Sequence, residues 1–284
     1  MGPFRIPAVL VLGLLVVGVA IGQQTSSSIS PSVSPTSTVA VPPLPWTPPP
    51  IVRDPQALSV VQASINAMGG AVAIAQVQSW IVNMQADESS IGRAAGPLVL
   101  TVSGGELRTD FQGPNGLVTL SSGNGTPFRT MQGATKKVSQ WVTGSQFVPV
   151  LTASILAKEF QDANYSFQFK GTSTIGSTSV VVVATVSQDT KLNSRITPQT
   201  WYFDSATSLP VRIEYRLLDN HRSDVFLLGA ADISAYQAVD GVLYPFQTSL
   251  YMSGKPLGSR TVTSIQPNAA VAASQFDAPA GGIQ

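Results

Sequence analysis

The stretch Gln199-Thr-Trp-Tyr-Phe-Asp-Ser-Ala-Thr-Ser-Leu-Pro-Val-Arg-Ile-Glu-Tyr-Arg-Leu217 decides the fold. In its first half, Trp201 and Phe203 fall on one face, with Tyr202 and Asp204 on the other. In its second half, Val211, Ile213, Tyr215 and Leu217 share a face opposite Arg212, Glu214 and Arg216. Successive strand side chains point to opposite faces, so alternation of this length predicts two half-buried antiparallel strands. The polar segment Asp204 to Ser208 between them carries side chains that bond their own backbone, which predicts a turn.

Working outward, the same period of two recurs along most of the chain. Trp80, Val82, Met84 and Ala86 alternate with Ile81, Asn83, Gln85 and Asp87. Leu98, Leu100 and Val102 form a second run, and Leu107, Thr109 and Phe111 a third, joined by Gly104-Gly105 as a two-residue hairpin turn. Shorter runs follow at Leu117 to Ser121 and Phe128 to Gln132. Tyr165, Phe167 and Phe169 alternate again, and the continuous apolar run Val180 to Val186 predicts a strand covered on both faces. After the Trp201/Ile213 hairpin come Val225 to Tyr236, then Asp240-Gly241, a type I′ turn signal, leading into Val242, Tyr244, Phe246, Thr248 and Leu250. Ser259 to Gln266 is the last strand, and Phe276-Asp277-Ala278-Pro279 closes the chain.

Two stretches have helical spacing instead. Asp54 is placed as an N-cap with Pro55 at the first helical position, where a missing amide costs nothing. Leu58, Val61, Ile65 and Met68 then form an apolar stripe for core packing, stopped by Gly69-Gly70 and followed by a short Ala-rich turn to Val77. The second helical pattern lies in Phe147 to Phe160, with Val150, Ile155, Leu156 and Phe160 flanking Ala153 and Ala157.

About eleven strands in mostly meander order, with two or three helices, predict a mainly β (α+β) fold: a strongly curved antiparallel half-barrel with the helices across its mouth. A sheet that wide must curl, and so few helices cannot fill it, which predicts a cavity. The expected lining is Trp80, Val82, Leu98, Leu100, Phe111, Trp201, Phe203, Ile213, Tyr215 and Phe246. On this reading the inward side of the central hairpin serves both core and cavity.

The first part of the chain has a different character. Arg5, the unbroken apolar run Ala8 to Ile21 and the small-x-small site Ala20-Ile21-Gly22 predict a signal peptide over residues 1–22, cleaved near Gly22. The run is shorter than the ~20 residues of a spanning helix; an uncleaved N-terminal anchor is the alternative. Residues 23–53 hold a Ser/Thr tract and then Pro42, Pro43, Pro45, Pro48, Pro49 and Pro50, the composition of an extended, disordered linker. A Pro-rich docking ligand anchored by Trp46 is the sharper alternative. The folded domain is placed at 54–284.

Composition narrows the chemistry. With 284 residues, a formal net charge of +1 and only 11% charged residues, the chain lacks the concentrated basic patch that nucleic acid requires. The absence of cysteine excludes disulfides, thiolate metal sites, cysteine nucleophiles and a lipidated N-terminal cysteine. The single histidine, His221, sits in the polar run Asp219-Asn-His-Arg-Ser-Asp224, which reads as a solvated loop, not a triad. One histidine does not furnish a multi-imidazole zinc site. Asp87 and Glu88 are neighbours in a strand and so face opposite ways, and Lys136-Lys137 reads as wet surface. No glycine-rich phosphate loop precedes a helix. These points predict a non-catalytic domain with no metal and no cofactor.

Four features together carry a resemblance: Gly69-Gly70 after one helix; Tyr165-Ser-Phe-Gln-Phe; Trp201-Tyr-Phe-Asp-x-x-Thr-x-Leu-Pro-Val-Arg-Ile-Glu-Tyr; and Asp232-x-x-x-Tyr-x-x-Val-Asp-Gly-Val-x-Tyr-Pro-Phe. In this order, over roughly Asp54 to Pro279, they resemble the LolA/LolB-like superfamily. Its members are open half-barrels lidded by helices that shelter acyl chains or lipoproteins in the periplasm. The resemblance implies a secreted or periplasmic domain whose partner is a hydrophobic ligand, such as a lipid or lipoprotein acyl chain. A membrane-tethered interaction or envelope-sensing domain, with an envelope protein as partner, is the alternative on the same fold. The shared motifs are strand and turn signals, and they carry over no ligand-contacting residue.

Overall fold

A computed structural model describes residues 50–89, 94–138, 149–188, 198–218 and 226–282. The predicted signal peptide, nearly all of the linker and the His221 run lie outside them. Thirteen strands form one antiparallel sheet in the order β6-β5-β4-β3-β2-β1-β13-β12-β11-β10-β9-β8-β7. They are β1 Ser79–Asp87, β2 Gly96–Ser103, β3 Glu106–Gly113, β4 Gly116–Ser121, β5 Phe128–Met131, β6 Ala134–Lys137, β7 Tyr165–Ile175, β8 Thr178–Ser187, β9 Gln199–Asp204, β10 Pro210–Leu218, β11 Phe226–Val239, β12 Val242–Met252 and β13 Lys255–Pro267. The sheet is two meanders, β1 to β6 and β7 to β13, sewn together where β1 pairs with β13. Its ends do not meet, so this is the curved half-barrel expected, with thirteen strands where the sequence predicts about eleven.

The central hairpin forms as its alternation dictates. Ile213 pairs with Trp201, and Arg212 with Tyr202 on the other face. In the turn, Asp204 Oδ1 accepts from the amides of Ala206 at 2.7 Å and Thr207 at 3.2 Å. Register shifts interrupt four pairings: β1 with β13, β12 with β13, β9 with β10, and β7 with β8. Each bulge adds local bend and twist, which is how so wide a sheet curls.

Among the described residues three α-helices accompany it: α1 Pro55–Ala67, α2 Gly70–Gln76 and α3 Thr152–Gln161. Asp54 caps α1 by accepting from the Gln56 amide at 2.8 Å, with Pro55 at the first position as expected. The segment after Met68 is a second helix where the sequence predicts a turn, bent 62° from the first. Gly69 permits the bend: its φ is +120°, and a Cβ there would lie 2.3 Å from the Gly241 carbonyl oxygen. The Leu243 amide donates to Met68 O at 2.9 Å beside it, so only glycine allows α1 to seat on the Asp240-Gly241 hairpin.

The helices rest chiefly on β7, β8 and β12, and α1 packs on α3. Ala57, Val61, Ile65 and Met68 of α1 and Ala153 and Leu156 of α3 are buried with Trp201, Phe203, Ile213 and Tyr244 of the sheet. This is the main core, on the concave face. A second apolar cluster lies on the convex side, where Phe128 and Phe276 are buried. The C-terminal segment straps it down: Ser121 Oγ donates to Phe276 O at 2.9 Å, and Arg108 Nη1 to Gln275 O at 2.8 Å. Val180 and Val182 are buried on the face opposite Val183, so β8 is covered on both sides there, as its apolar run predicts.

The domain takes hold of the chain slightly before Asp54. Arg53 bridges to Phe167 in parallel fashion along the edge of β7, and the Phe167 amide donates to Val52 O at 2.7 Å. No single helix among the described residues is long and apolar enough to cross a membrane.

Candidate concave-face binding site

The ten residues expected to line a cavity all come from strands of the concave sheet, and the structure divides them. Val82, Leu100, Trp201, Phe203 and Ile213 are sealed, each at most 1% exposed. Trp80, Leu98 and Tyr215 are buried but not sealed, while Phe111 and Phe246 remain half-buried at the margin of the core. The stacked Trp201–Phe203 pair, with ring centroids 6.2 Å apart, is therefore solid core in this state.

Three of the less tightly sealed residues, Leu98, Phe111 and Phe246, fall in one row. Leu98 pairs with Phe111 on one side and with Met84 on the other. Met84 pairs with Val262, and Phe246 follows on β12 one step from the Gln247–Thr261 pair. Phe111, Leu98, Met84, Val262 and Phe246 thus make one apolar row across β3, β2, β1, β13 and β12. At about 4.8 Å per strand step it spans roughly 19 Å. Its β12 end lies on a strand the helices rest on, its middle residues Leu98, Met84 and Val262 are buried, and it ends on a half-buried aromatic ring at either limit. Met84 and Val262 were not among the expected lining residues.

The next row carries a charge. Ala86 pairs with both Gly96 and Arg260, and Arg260 pairs with Thr248 on its other side. The Arg260 side chain is 15% exposed and Glu88 is 11% exposed; the two lie 3.8 Å apart, the outer limit of an ion pair. Arg260 Nε is buried and has no hydrogen-bond partner. Burial pushes the Tyr215 phenol of β10 up to about 12, with the Arg260 charge opposing the shift. The ring of Phe111 lies against Gly96 in the same row, 3.4 Å from where a Cβ would stand.

A second polar group is buried beneath α3. Glu159 faces the sheet, 3.4 Å from Thr185 Oγ1, which is itself 3.4 Å from Gln199 Oε1; Trp201 Nε1 donates to that oxygen at 3.0 Å. Burial raises the Glu159 carboxyl to about 8, and the bonds from Thr185 and Gln199 oppose the shift only in part. The carboxyl is therefore largely protonated at neutral pH. Beside it, burial lowers the Lys158 ammonium to about 8. Among the described residues, no three His, Asp or Glu side chains are grouped to hold a metal ion.

A half-barrel of this kind, helices across its concave face, defines a LolA-like fold. A solved LolA superfamily protein from Nitrosomonas europaea superposes with a TM-score of 0.50 at 12% identity, over 78% of this chain and 97% of that one. A DUF1329 family protein from Desulfovibrio piger gives 0.49 at 11% identity, over 76% and 97%. A domain from Vibrio parahaemolyticus, described as belonging to outer-membrane lipoprotein sorting, gives 0.47 at 13%, over 78% and 96%. Neither a family model nor a curated protein sequence matches the chain. The resemblance read from the strand and turn motifs holds for the fold, and the ligand has to be argued from the concave face.

Proposed function

We propose that this domain binds the acyl chain of a lipid or of a lipoprotein and holds or carries it outside the cytoplasm without chemical change. The observation that carries the reading is the row from Phe111 to Phe246. It is apolar throughout, lies on the concave face, and ends on two rings that are only partly buried. Half-buried phenylalanines at both ends of one row leave apolar surface that a ligand could cover. Burying them against a hydrocarbon tail gains roughly 25 cal/mol for each Å² of apolar surface covered.

The attachment of α3 supports the same reading. A helix that meets its sheet through a protonated carboxyl and bonds of 3.4 Å is held less firmly than one seated on apolar side chains alone. Its displacement would open the sealed residues Val82, Leu100, Trp201, Phe203 and Ile213 to a longer or branched ligand. In this proposal a cleavable signal peptide ending near Gly22 delivers the domain to the envelope or beyond, and the residues from Gln23 up to Val52 serve as a spacer.

The test is extraction of the purified protein for mass spectrometry, with titration of a fluorescent fatty-acyl probe into the delipidated domain. We expect co-purifying acyl lipid and saturable probe binding. Phe246→Ala should weaken the probe about tenfold, the scale of one lost aromatic contact, while the convex-face change Arg212→Ala leaves it unchanged. No lipid and no probe binding would remove the reading and leave a protein-binding domain on the same fold.

A further inference from the structure

Arg260 is out of place by every rule of the surface it occupies. Its row neighbours are Ala86 and Thr248, the next inward position on its own strand is Val262, and the adjacent row is wholly apolar. A guanidinium carries five donors in a fixed fork and is retained in a protein interior when an acceptor meets that fork. Here the acceptor is incomplete. Among the described residues its ion-pair contact is from Nη2 to Glu88 Oε1 at 3.8 Å, and Nε is buried without a partner. Glu88 also has interactions elsewhere, so it is not committed to this arginine. A buried donor left unmet costs about 1–3 kcal/mol, more when charged. A purely structural arginine at this position would be expected to close that gap.

We infer that Arg260 receives the anionic head of the amphiphile whose tail lies on the row Phe111–Leu98–Met84–Val262–Phe246. The inference rests on the acyl-binding reading above and names its ligand class: a single-chain or diacyl lipid ending in a carboxylate or phosphate. The tail row and the charge row are adjacent on the same face, so one molecule reaches both. The anionic oxygens take the Nε and Nη edge that Glu88 leaves open. Glu88 then acts as a competitor: it keeps the guanidinium partly neutralised while the site is empty and yields when a better-placed anion arrives.

The experiment is calorimetric titration of the delipidated full chain with three oleoyl probes: oleate, 1-oleoyl lysophosphatidate and the uncharged 1-oleoylglycerol. The expected result is that at least one anionic probe binds about tenfold or more tightly than the uncharged one, the scale of a charge-assisted contact in a desolvated site. A preference for oleate identifies a free carboxylate as the head, and a preference for lysophosphatidate identifies a phosphate ester. Because Arg260→Met alone leaves the Glu88 charge beside the site, the variant to use is the double change Arg260→Met with Glu88→Gln, which removes both charges. It should lose the head-group preference while keeping its affinity for 1-oleoylglycerol. Glu88→Gln alone should strengthen anionic binding. Equal binding of all three probes by the wild-type protein, or a preference that survives in the double variant, overturns the inference and leaves acyl binding standing. Failure of all three probes to bind removes both.

Discussion

The two faces of strands β9 to β13 handle charge in opposite ways. On the convex face, Tyr202 donates to Glu214 at 3.0 Å, Arg212 pairs with Glu214 at 3.0 Å and with Asp232 at 2.6 Å, and the same guanidinium lies 5.6 Å from the Tyr251 ring centroid. This chain of partners crosses four strands and leaves little unmet, although water was available to do the same work. On the concave face, where water is scarce, Arg260 reaches Glu88 only at 3.8 Å and Glu159 reaches Thr185 only at 3.4 Å. Folding alone would favour the reverse, because an unmet polar group costs most where it is least solvated. The difference teaches that the convex network serves the fold, while the concave polar groups are left as the proposed amphiphile site would need them.

The largest effect that bears on this contrast is Phe203→Ala. Its ring is 1% exposed against Trp201, so its loss should cost about 3–5 kcal/mol in chemical denaturation. The half-buried Phe246→Ala should cost only about 1–2 kcal/mol. Equal penalties would mean that the row ending at Phe246 is as solid as the core, and the two regions would merge.

Glu159→Gln comes next and sharpens the concave side. Burial raises the folded-state carboxyl from 4.5 to about 8, so the native protein keeps a proton that the unfolded chain releases. Stability conferred by that protonated form is complete below about pH 4.5 and falls as pH rises towards 8. At pH 7 the deficit is on the order of 3 kcal/mol. The glutamine variant should be the more stable protein at pH 7 and lose its advantage near pH 4.5. Thermal melts across this range check it, and parallel curves for the two proteins would show that the carboxyl is not buried.

The smallest effect belongs to the convex face. Arg212 is about a quarter exposed and its pairs are screened, so Arg212→Ala should cost about 1 kcal/mol or less, and less again at high salt. A cost of several kcal/mol there would reverse the comparison, making the convex network the more deeply coupled of the two.

Much of this molecule was legible in its sequence, because strand alternation and turn chemistry are local. The Trp201/Ile213 hairpin, the Asp54 cap and the Asp240-Gly241 turn stand where the residues predict. The last two strands of the first meander, Phe128–Met131 and Ala134–Lys137, are four residues each, too short for periodicity to separate them. The helix Gly70–Gln76 opens on glycine, which ordinarily ends one. Arg260 was hidden for a more instructive reason. Counting back from Ile265 by twos puts it on the far face, but β13 skips a residue between Ser264 and Val262 where it pairs with Asn83 and Met84. That bulge turns Arg260 inward, and a bulge is a property of two strands together. The division of the aromatics into sealed and half-buried sets likewise depends on where the helices come to rest.

Arg53 has a mechanical consequence. Its Nη1 donates to the carbonyls of Asp162 at 3.1 Å and Tyr165 at 3.2 Å, and its Nη2 to that of Phe160 at 2.7 Å, while the guanidinium lies 5.2 Å from the Phe167 ring centroid. Phe160 belongs to the last turn of α3 and Asp162 directly follows it. The chain therefore enters the domain through a clamp on the end of the helix that covers the concave face. Because Val52 is bonded to Phe167 and Arg53 to Tyr165 of β7 as well, a pull on the chain before Val52 would load that helix and the edge of the sheet together.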